Sequence, residues 1–132
     1  CRGAAKDHRD TARQIIRKMS AITTHILDTS TGKPAADVMI MLEGNVPSIG
    51  WQKIGEGITN ADGRHTGLVP ANFQFSSGHY RLVFETGAYF ASQGIECFYP
   101  QVTVAFTVRD TTQHYHVPLL LSPFGYSTYR GS

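Results

Sequence analysis

The chain ends in QHYHVPLLLSPFGYSTYRGS (residues 113–132), and the side chains alternate in character along the first half of this stretch. Successive side chains of a β-strand point to opposite faces, so residues two apart share a face. One face carries only apolar or aromatic side chains, namely Tyr115, Val117, Leu119 and Leu121. The other face carries His114, His116, Pro118 and Leu120. The stretch therefore predicts a strand whose first face lies in a core and whose histidines point away from it.

Further short strand patterns precede this one along the chain. They predict strands at residues 22–28, 38–42, 51–58, 80–85, 102–108, 114–121 and 126–130. Residues 86–93 form the only plausible short helix, and turns are expected at residues 29–34 and 60–63, where Gly, Pro, Asn and Asp cluster. About seven or eight short strands separated by turns are typical of a β-sandwich. We therefore expect an all-β fold of two sheets with one short helix.

Length and cysteine content restrict the class of protein. A chain of 132 residues is expected to form one domain. No apolar run approaches the ~20 residues needed to span a membrane, so no membrane partner is expected. The two cysteines, Cys1 and Cys97, lie far apart and do not form a disulfide framework. They favour a reducing, intracellular compartment.

The formal net charge of +2 is unevenly distributed along the chain. Residues 1–18 hold six basic and two acidic side chains, whereas the remainder holds six basic and eight acidic ones. A basic tail can bind nucleic acid or act as a targeting peptide. The sequence of residues 13–21 nearly matches an N-terminal peroxisomal signal. The composition favours a basic, disordered extension at residues 1–20 and a domain at residues 21–132. Because that domain is mildly acidic, no nucleic acid partner is expected.

Four separate motifs point to one family. They are TTHILDT at residues 23–29, the turn with its glycine and proline at residues 29–34, the segment 60–64, and the terminal stretch 113–132. Together they resemble the 5-hydroxyisourate hydrolases, enzymes of urate breakdown that share the transthyretin fold, over about residues 22–132. The final YRGS is what separates these hydrolases from the hormone-carrying transthyretins. The resemblance implies a transthyretin-like sandwich and a homotetramer, with sites in a channel where two dimers pack face to face.

The resemblance also implies the residues of the active site. The catalytic histidine, arginine and histidine of the family correspond to His25, Arg64 and His116. Its substrate-binding terminal motif corresponds to Tyr129, Arg130, Gly131 and Ser132. The implied reaction opens the six-membered ring of the small-molecule substrate 5-hydroxyisourate with water, giving 2-oxo-4-hydroxy-4-carboxy-5-ureidoimidazoline. Animal members of the family can be peroxisomal, so a peroxisomal or cytoplasmic location is expected.

The residue types suit this reaction, although each has an ordinary explanation when taken alone. Histidine titrates near neutral pH, so it can take a proton from water and return it. Arginine is permanently charged and forked, which suits an oxyanion on a planar ring. The sequence leaves open which histidine is the base. Alternation places Arg130 on the face opposite Tyr129 unless the terminus twists, and His114 is expected at the rim of the site.

Other functions fit parts of the sequence less well. His25, His114 and His116 could bind zinc, but an arginine beside them repels a cation, so neither a metal nor another cofactor is expected. Ser132 lacks the sharp turn that presents a serine nucleophile. A transthyretin-type thyroid hormone carrier would have the same fold, yet two imidazoles and a phenol would narrow and polarise its channel. A structural sandwich domain used for adhesion or assembly leaves the histidines and the arginine unexplained.

Overall fold

The computed structural model describes residues 21–132. Within them the chain forms β1 (Ile22–Asp28), β2 (Lys33–Pro34), β3 (Met39–Val46), β4 (Gly50–Ile58), β5 (Arg64–His65), β6 (Gly78–Phe84), α1 (Thr86–Ala91), β7 (Val102–Val108), β8 (Tyr115–Ser122) and β9 (Gly125–Thr128). The predicted extension at residues 1–20 lies outside the described residues, so the domain boundary stays a prediction. Between residues 21 and 132, no helix has both the length and the apolar character needed to cross a bilayer.

The strands form two sheets, which confirms the predicted sandwich with its short helix. The first sheet has the order β2-β1-β8-β9, and β5 also pairs with β1. The second has the order β4-β3-β6-β7. Strand β1 pairs with β8 in parallel, whereas the other pairings are antiparallel. The first strand, β1, and the last long strand, β8, therefore lie side by side in the middle of the first sheet.

Two short strands were not predicted, and they matter for the site. Strands β2 and β5 contain two residues each, too few to show alternation, and both pair with the same edge of β1. The other elements lie where they are expected, with ends that differ by a few residues. The last strand, expected at residues 126–130, ends at Thr128. The four residues of the terminal motif therefore lie beyond it.

The two sheets enclose one apolar core. Its most buried side chains are Ile22, Ile26, Leu119 and Leu121 from the first sheet and Ile40, Leu42, Leu82 and Phe84 from the second. The predicted inner face of β8 is confirmed, because all four of its side chains are buried. The first sheet therefore turns its other face, which carries His25 and His116, away from the core.

The outer face of β8 differs from the prediction at one position. His116 and Leu120 are half-buried, whereas Pro118 is buried although it was expected to point outwards. The cause is the end of the chain, which folds back over this part of the strand. A Cβ atom at Gly131 would lie 3.2 Å from Cγ of Pro118. The chain end thus covers part of the face that carries the histidines.

A buried carboxylate links the helix to the first sheet through a hydrogen bond. Asp28, the last residue of β1, is fully buried. The Tyr89 hydroxyl on α1 donates to its Oδ2 atom at 2.8 Å, and the Ser30 backbone N–H donates to its Oδ1 atom at 3.0 Å. These bonds compensate for the cost of burying a charged group, which is large when the group is unpaired. Asp28 is therefore expected to be important for stability.

We expect Asp28→Ala to lower the free energy of unfolding by about 3 kcal/mol, because the Tyr89 hydroxyl and the Ser30 N–H lose their buried acceptor. Urea denaturation followed by circular dichroism measures this change. Asp110→Ala is the matched control, since Asp110 accepts similar bonds from Thr112 at an exposed loop. The control should change stability much less. Equal effects of the two substitutions would contradict the role assigned to Asp28.

Candidate active site

Strand pairing brings the outward-facing polar residues of the first sheet together. His25 on β1 lies opposite Arg64 on β5, and Thr23 on β1 lies opposite His116 on β8. Side chains at directly opposite positions of paired strands lie on the same face and within contact distance. The two neighbours of β1 therefore place an arginine on one side of it and a histidine on the other.

Three of these side chains, those of Thr23, Arg64 and His116, border an open cavity of about 240 Å³. Its walls are formed by Thr23, Thr24, Arg64, Thr66, His114, His116 and Ser132. The ring of His25 lies roughly parallel to that of His116, with a centroid distance of 6.5 Å and an interplanar angle of 22°. The structure thus brings three predicted catalytic residues together with one residue of the predicted terminal motif.

A threonine hydroxyl connects two histidines at this cavity. Oγ1 of Thr23 lies 2.8 Å from Nδ1 of His116 and 2.8 Å from Nε2 of His114. Within residues 21–132, no hydrogen bond involves Nε2 of His116, whereas its Nδ1 atom is engaged by Thr23. The sequence prediction does not include Thr23 among the site residues. Its contact depends on the parallel register of β1 and β8, for which the sequence offers no local signal.

The chain end forms the opposite side of the His116 ring. The Gly131 N–H donates to the carbonyl oxygen of His116 at 2.8 Å, and the two residues form an isolated antiparallel bridge. A Cβ atom at Gly131 would lie only 2.6 Å from Cδ2 of His116. Only glycine therefore fits here without displacing the imidazole. The residue after it, Ser132, reaches the cavity.

The other two residues of the terminal motif lie outside this cavity within one chain. The Arg130 guanidinium lies 4.5 Å from the centroid of the Tyr115 ring and donates to Oε1 of Gln113 at 2.8 Å. Tyr129 is 58% exposed and borders a neighbouring groove that it shares with β7 and His116. Neither side chain therefore lines the cavity described above.

The surroundings of the two central histidines favour their neutral forms. Burial lowers the pKa of His116 below its ordinary value, and the nearby His114, Arg64 and His25 lower it further. Burial and Arg64 also lower the pKa of His25, while Asp62 acts in the opposite direction. Because an ordinary histidine already titrates below neutral pH, these shifts further favour the neutral form of both rings at pH 7. They can therefore accept a proton.

The cavity combines imidazole rings with a guanidinium group. Among the residues that the structure describes, no group of three or more His, Cys, Asp or Glu side chains is arranged to hold a metal ion. Arg64 also lies close enough to lower the pKa of both His25 and His116. The arrangement combines proton acceptors with a fixed positive charge, which is suited to activating water and stabilising an oxyanion.

Fold and site together define a transthyretin-like sandwich with a histidine- and arginine-lined cavity on its outer face. The chain belongs to the HIUase/Transthyretin family, whose model matches residues 22–131. It is 47% identical over 111 residues to a 5-hydroxyisourate hydrolase of Salmonella dublin, covering 84% of this chain and 80% of that one. It is 46% identical over 114 residues to a mouse 5-hydroxyisourate hydrolase, covering 86% of this chain and 96% of the relative.

Solved structures place both branches of the family close to this fold. The 5-hydroxyisourate hydrolase of Klebsiella pneumoniae superposes with a TM-score of 0.74 at 38% identity, covering 86% of this chain and all of the other. Sea bream transthyretin in complex with thyroxine superposes with a TM-score of 0.78 at 35% identity, covering 84% and 94%. Since enzyme and hormone carrier fit equally well, the backbone does not distinguish the two functions.

Proposed function

We propose that this protein hydrolyses 5-hydroxyisourate to 2-oxo-4-hydroxy-4-carboxy-5-ureidoimidazoline in the degradation of urate. Relatives that are 46–47% identical over most of the chain bear the name 5-hydroxyisourate hydrolase. One observation carries the proposal at the level of the site. Arg64, His116 and Ser132 border one cavity, and the ring of His25 lies beside it.

The chemistry of ring opening matches these groups. The oxygen of water bonds to a ring carbonyl carbon, and the carbon–nitrogen bond breaks. A neutral imidazole of His25 or His116 takes the proton released by water, and this proton then passes to the departing ring nitrogen. Arg64 faces the same cavity and can hold the negative charge that develops on the carbonyl oxygen. The proton taken from water is returned to the ring nitrogen, so these steps need no cofactor.

A direct assay tests the proposal. Urate oxidase generates 5-hydroxyisourate from urate in the cuvette, and the decay of its ultraviolet absorbance is followed with and without this protein. We expect the decay to be accelerated well above the spontaneous rate. An Arg64→Gln variant purified in the same way controls for contaminating hydrolase. Decay at the spontaneous rate with the folded protein would refute the enzyme function.

A thyroid hormone carrier is the second candidate, favoured by the fit to the thyroxine complex of sea bream transthyretin. The cavity walls argue against it, because Arg64 and two histidines are polar groups whose burial by an apolar ligand is costly. Titration calorimetry with thyroxine distinguishes the candidates. Tight thyroxine binding together with no hydrolysis would reverse the assignment.

We propose that the protein acts as a homotetramer with sites where two dimers face each other. The cavity of about 240 Å³ is open and smaller than the ~300 Å³ of a typical small-molecule pocket, so a second molecule could complete it. Strands β7 and β9 are sheet edges with unpaired backbone groups, which can pair with another copy. Native mass spectrometry tests this proposal, and a species at the 14.5 kDa of one chain alone would contradict it.

We further propose an intracellular location, either peroxisomal or cytoplasmic. Among residues 21–132 the half-buried thiol of Cys97 forms no disulfide, which fits a reducing compartment. Microscopy of the full chain in its native cell type, with a fluorescent label attached through an internal exposed loop, would distinguish the two compartments. Secretion of the labelled protein would contradict both.

The close approach of Gly131 to His116 leads to a specific prediction. We expect Gly131→Ala to lower kcat by roughly tenfold to a hundredfold, because an added methyl group displaces the ring that exchanges the proton. Gly125→Ala is the matched control, since a Cβ atom there meets only Oγ of Ser122 at 3.7 Å. The steady-state assay compares the two variants. Similar activity in both would show that the chain end does not position His116.

A further inference from the structure

We propose that Thr23 is a positioning residue that links His116 to His114 and determines which nitrogen of His116 faces the cavity unprotonated. This inference rests on the proposed hydrolase function, in which a neutral imidazole accepts a proton from water. It also gives His114 a role in the reaction, whereas the sequence predicts only that His114 lies at the rim of the site. The contacts of three side chains, Thr23, His114 and His116, carry the argument.

The geometry of the Thr23 hydroxyl limits the states of the two rings. Its Oγ1 atom lies 2.8 Å from a nitrogen of each imidazole. A hydroxyl has one proton to donate and two lone pairs that accept. The two imidazole nitrogens therefore cannot both be unprotonated while both bonds are kept. The protonation of one ring constrains that of the other.

The three groups are held in place by the sheet. Thr23 is 5% exposed and pairs in register with His116 across the parallel β1–β8 ladder. A β-branched threonine also has few accessible χ1 rotamers. On its other side the His116 ring meets the backbone of Gly131. The imidazole is thus confined between a hydroxyl and a glycine, which leaves its Nε2 atom directed to neither.

One arrangement of protons makes His116 a base. Nδ1–H of His116 donates to Oγ1 of Thr23, and the Thr23 hydroxyl donates to Nε2 of His114. Nε2 of His116 then carries a lone pair and can accept a proton from water. This arrangement is the neutral tautomer that is less common for a free imidazole, so it needs a partner that accepts from Nδ1.

The same bonds provide a route for the accepted proton. When Nε2 of His116 takes a proton from water, its Nδ1 proton can move to Oγ1 of Thr23 while the hydroxyl proton moves to Nε2 of His114. The positive charge then lies on His114, which is exposed, rather than on the half-buried His116. Water stabilises a charged imidazole better than a partly buried site does. The reverse shift returns the proton for the departing nitrogen.

The charges around His116 favour this transfer. The groups that face it are Arg64 from β5, His25 from β1 and His114 from the segment before β8. Each of them is cationic or becomes cationic on protonation, and burial acts in the same direction, so the pKa of His116 is lowered. A proton held on His116 alone would be opposed by all of these groups. The hydroxyl bridge offers a more favourable position for it.

The test uses a pair of variants that differ by the hydroxyl. Thr23→Val removes the hydroxyl at nearly constant shape, and Thr23→Ser restores it. The matched control is Thr107→Val, which breaks a similar cross-strand contact between Thr107 and His79, 3.2 Å apart, on the second sheet. Two-dimensional ¹H–¹⁵N spectra of the imidazole nitrogens report the tautomer of His116 in the absence of substrate. The pH dependence of kcat shows whether this tautomer takes part in catalysis.

We expect His116 to have its proton on Nδ1 in the unaltered protein and in Thr23→Ser and Thr107→Val. In Thr23→Val the signal should shift towards the Nε2–H tautomer, and kcat should fall by roughly tenfold to a hundredfold. His114→Phe, at an exposed position, should produce the same tautomer shift, because the hydroxyl then donates to His116. This variant keeps the test valid if Thr23→Val fails to fold.

The outcomes separate this inference from the proposed function. An unchanged His116 tautomer in both Thr23→Val and His114→Phe would overturn the inference, whether or not the protein hydrolyses 5-hydroxyisourate. A pH–rate profile of Thr23→Val that superimposes on the original would also overturn it. A protein without hydrolase activity that nevertheless shows the tautomer shift would retain the hydrogen-bonded link and refute only the proposed reaction.

Discussion

Replacement of Arg64 by glutamine should lower kcat/KM for 5-hydroxyisourate by about 10²–10³-fold, the cost of losing a principal oxyanion donor. Arg64 is the permanent positive charge among the residues that border the cavity. The fold should be retained, because Arg64 is exposed and lies in a two-residue edge strand. Steady-state kinetics in the coupled urate oxidase assay give the loss, and circular dichroism checks the fold.

A second effect of the same substitution concerns pH. Arg64 lowers the pKa of both His25 and His116, so its removal should raise both values. The neutral form of the base predominates only above its pKa. The activity of Arg64→Gln should therefore begin to fall at a higher pH than that of the unaltered protein. This shift distinguishes the loss of a neighbouring charge from a general loss of structure.

Two further variants make the Arg64 result specific. Arg109→Gln removes the same charge at an exposed position beyond β7, and it should leave kcat/KM unchanged. Arg64→Lys keeps the charge but not the forked donor pair, so it should recover part of the activity. Activity of Arg64→Gln within threefold of the unaltered protein would exclude Arg64 from the catalytic machinery.

The sequence predicts the faces of the first sheet because alternation is a local property. Tyr115 and His116 fall on opposite faces from the period of two alone, and the structure buries the first in the core. Pro118 is the exception, since its burial depends on a segment that folds back from the chain end. The sequence of a strand does not indicate which of its residues are covered by a distant segment of the chain.

The arrangement of the site required information that is not local. The position of Thr23 opposite His116 depends on a parallel pairing between strands 93 positions apart, and no pattern in either strand specifies that register. The two-residue strand β5, which holds Arg64 opposite His25, is likewise too short to be predicted. The family resemblance supplied the identity of His25, Arg64 and His116, whereas the structure supplies their distances and adds Thr23 as a partner.

The terminal motif shows the limit of the resemblance for a single chain. Ser132 borders the cavity and Gly131 lies against His116, but the side chains of Tyr129 and Arg130 are directed elsewhere. Because β9 ends at Thr128, strand alternation no longer applies to the residues that follow. A role for Tyr129 in substrate binding therefore stays a prediction, because its phenol does not border the cavity within one chain.

His116→Ala should lower kcat by roughly 10²–10⁴-fold, the range expected for loss of a general base. In the unaltered protein, kcat/KM should increase with pH and reach a plateau above the pKa of His116, which lies below the ordinary value of 6.5. The sign follows from the role of the group, because the base must be unprotonated and a lowered pKa keeps it so at more acidic pH. The pH–rate profile between pH 4 and 9, followed in overlapping buffers, measures both quantities.

Substitution of individual histidines shows which of them causes the loss of activity at acidic pH, the acidic limb of this profile. His116→Ala should abolish the limb, whereas His25→Ala should lower kcat/KM but keep it, since the Thr23 link to His114 is then intact. His79→Ala, on the outer face of the second sheet, should change neither activity nor profile. If the limb instead disappears in His25→Ala and persists in His116→Ala, His25 is the base. The hydroxyl bridge would then orient a ring that does not itself remove the proton from water.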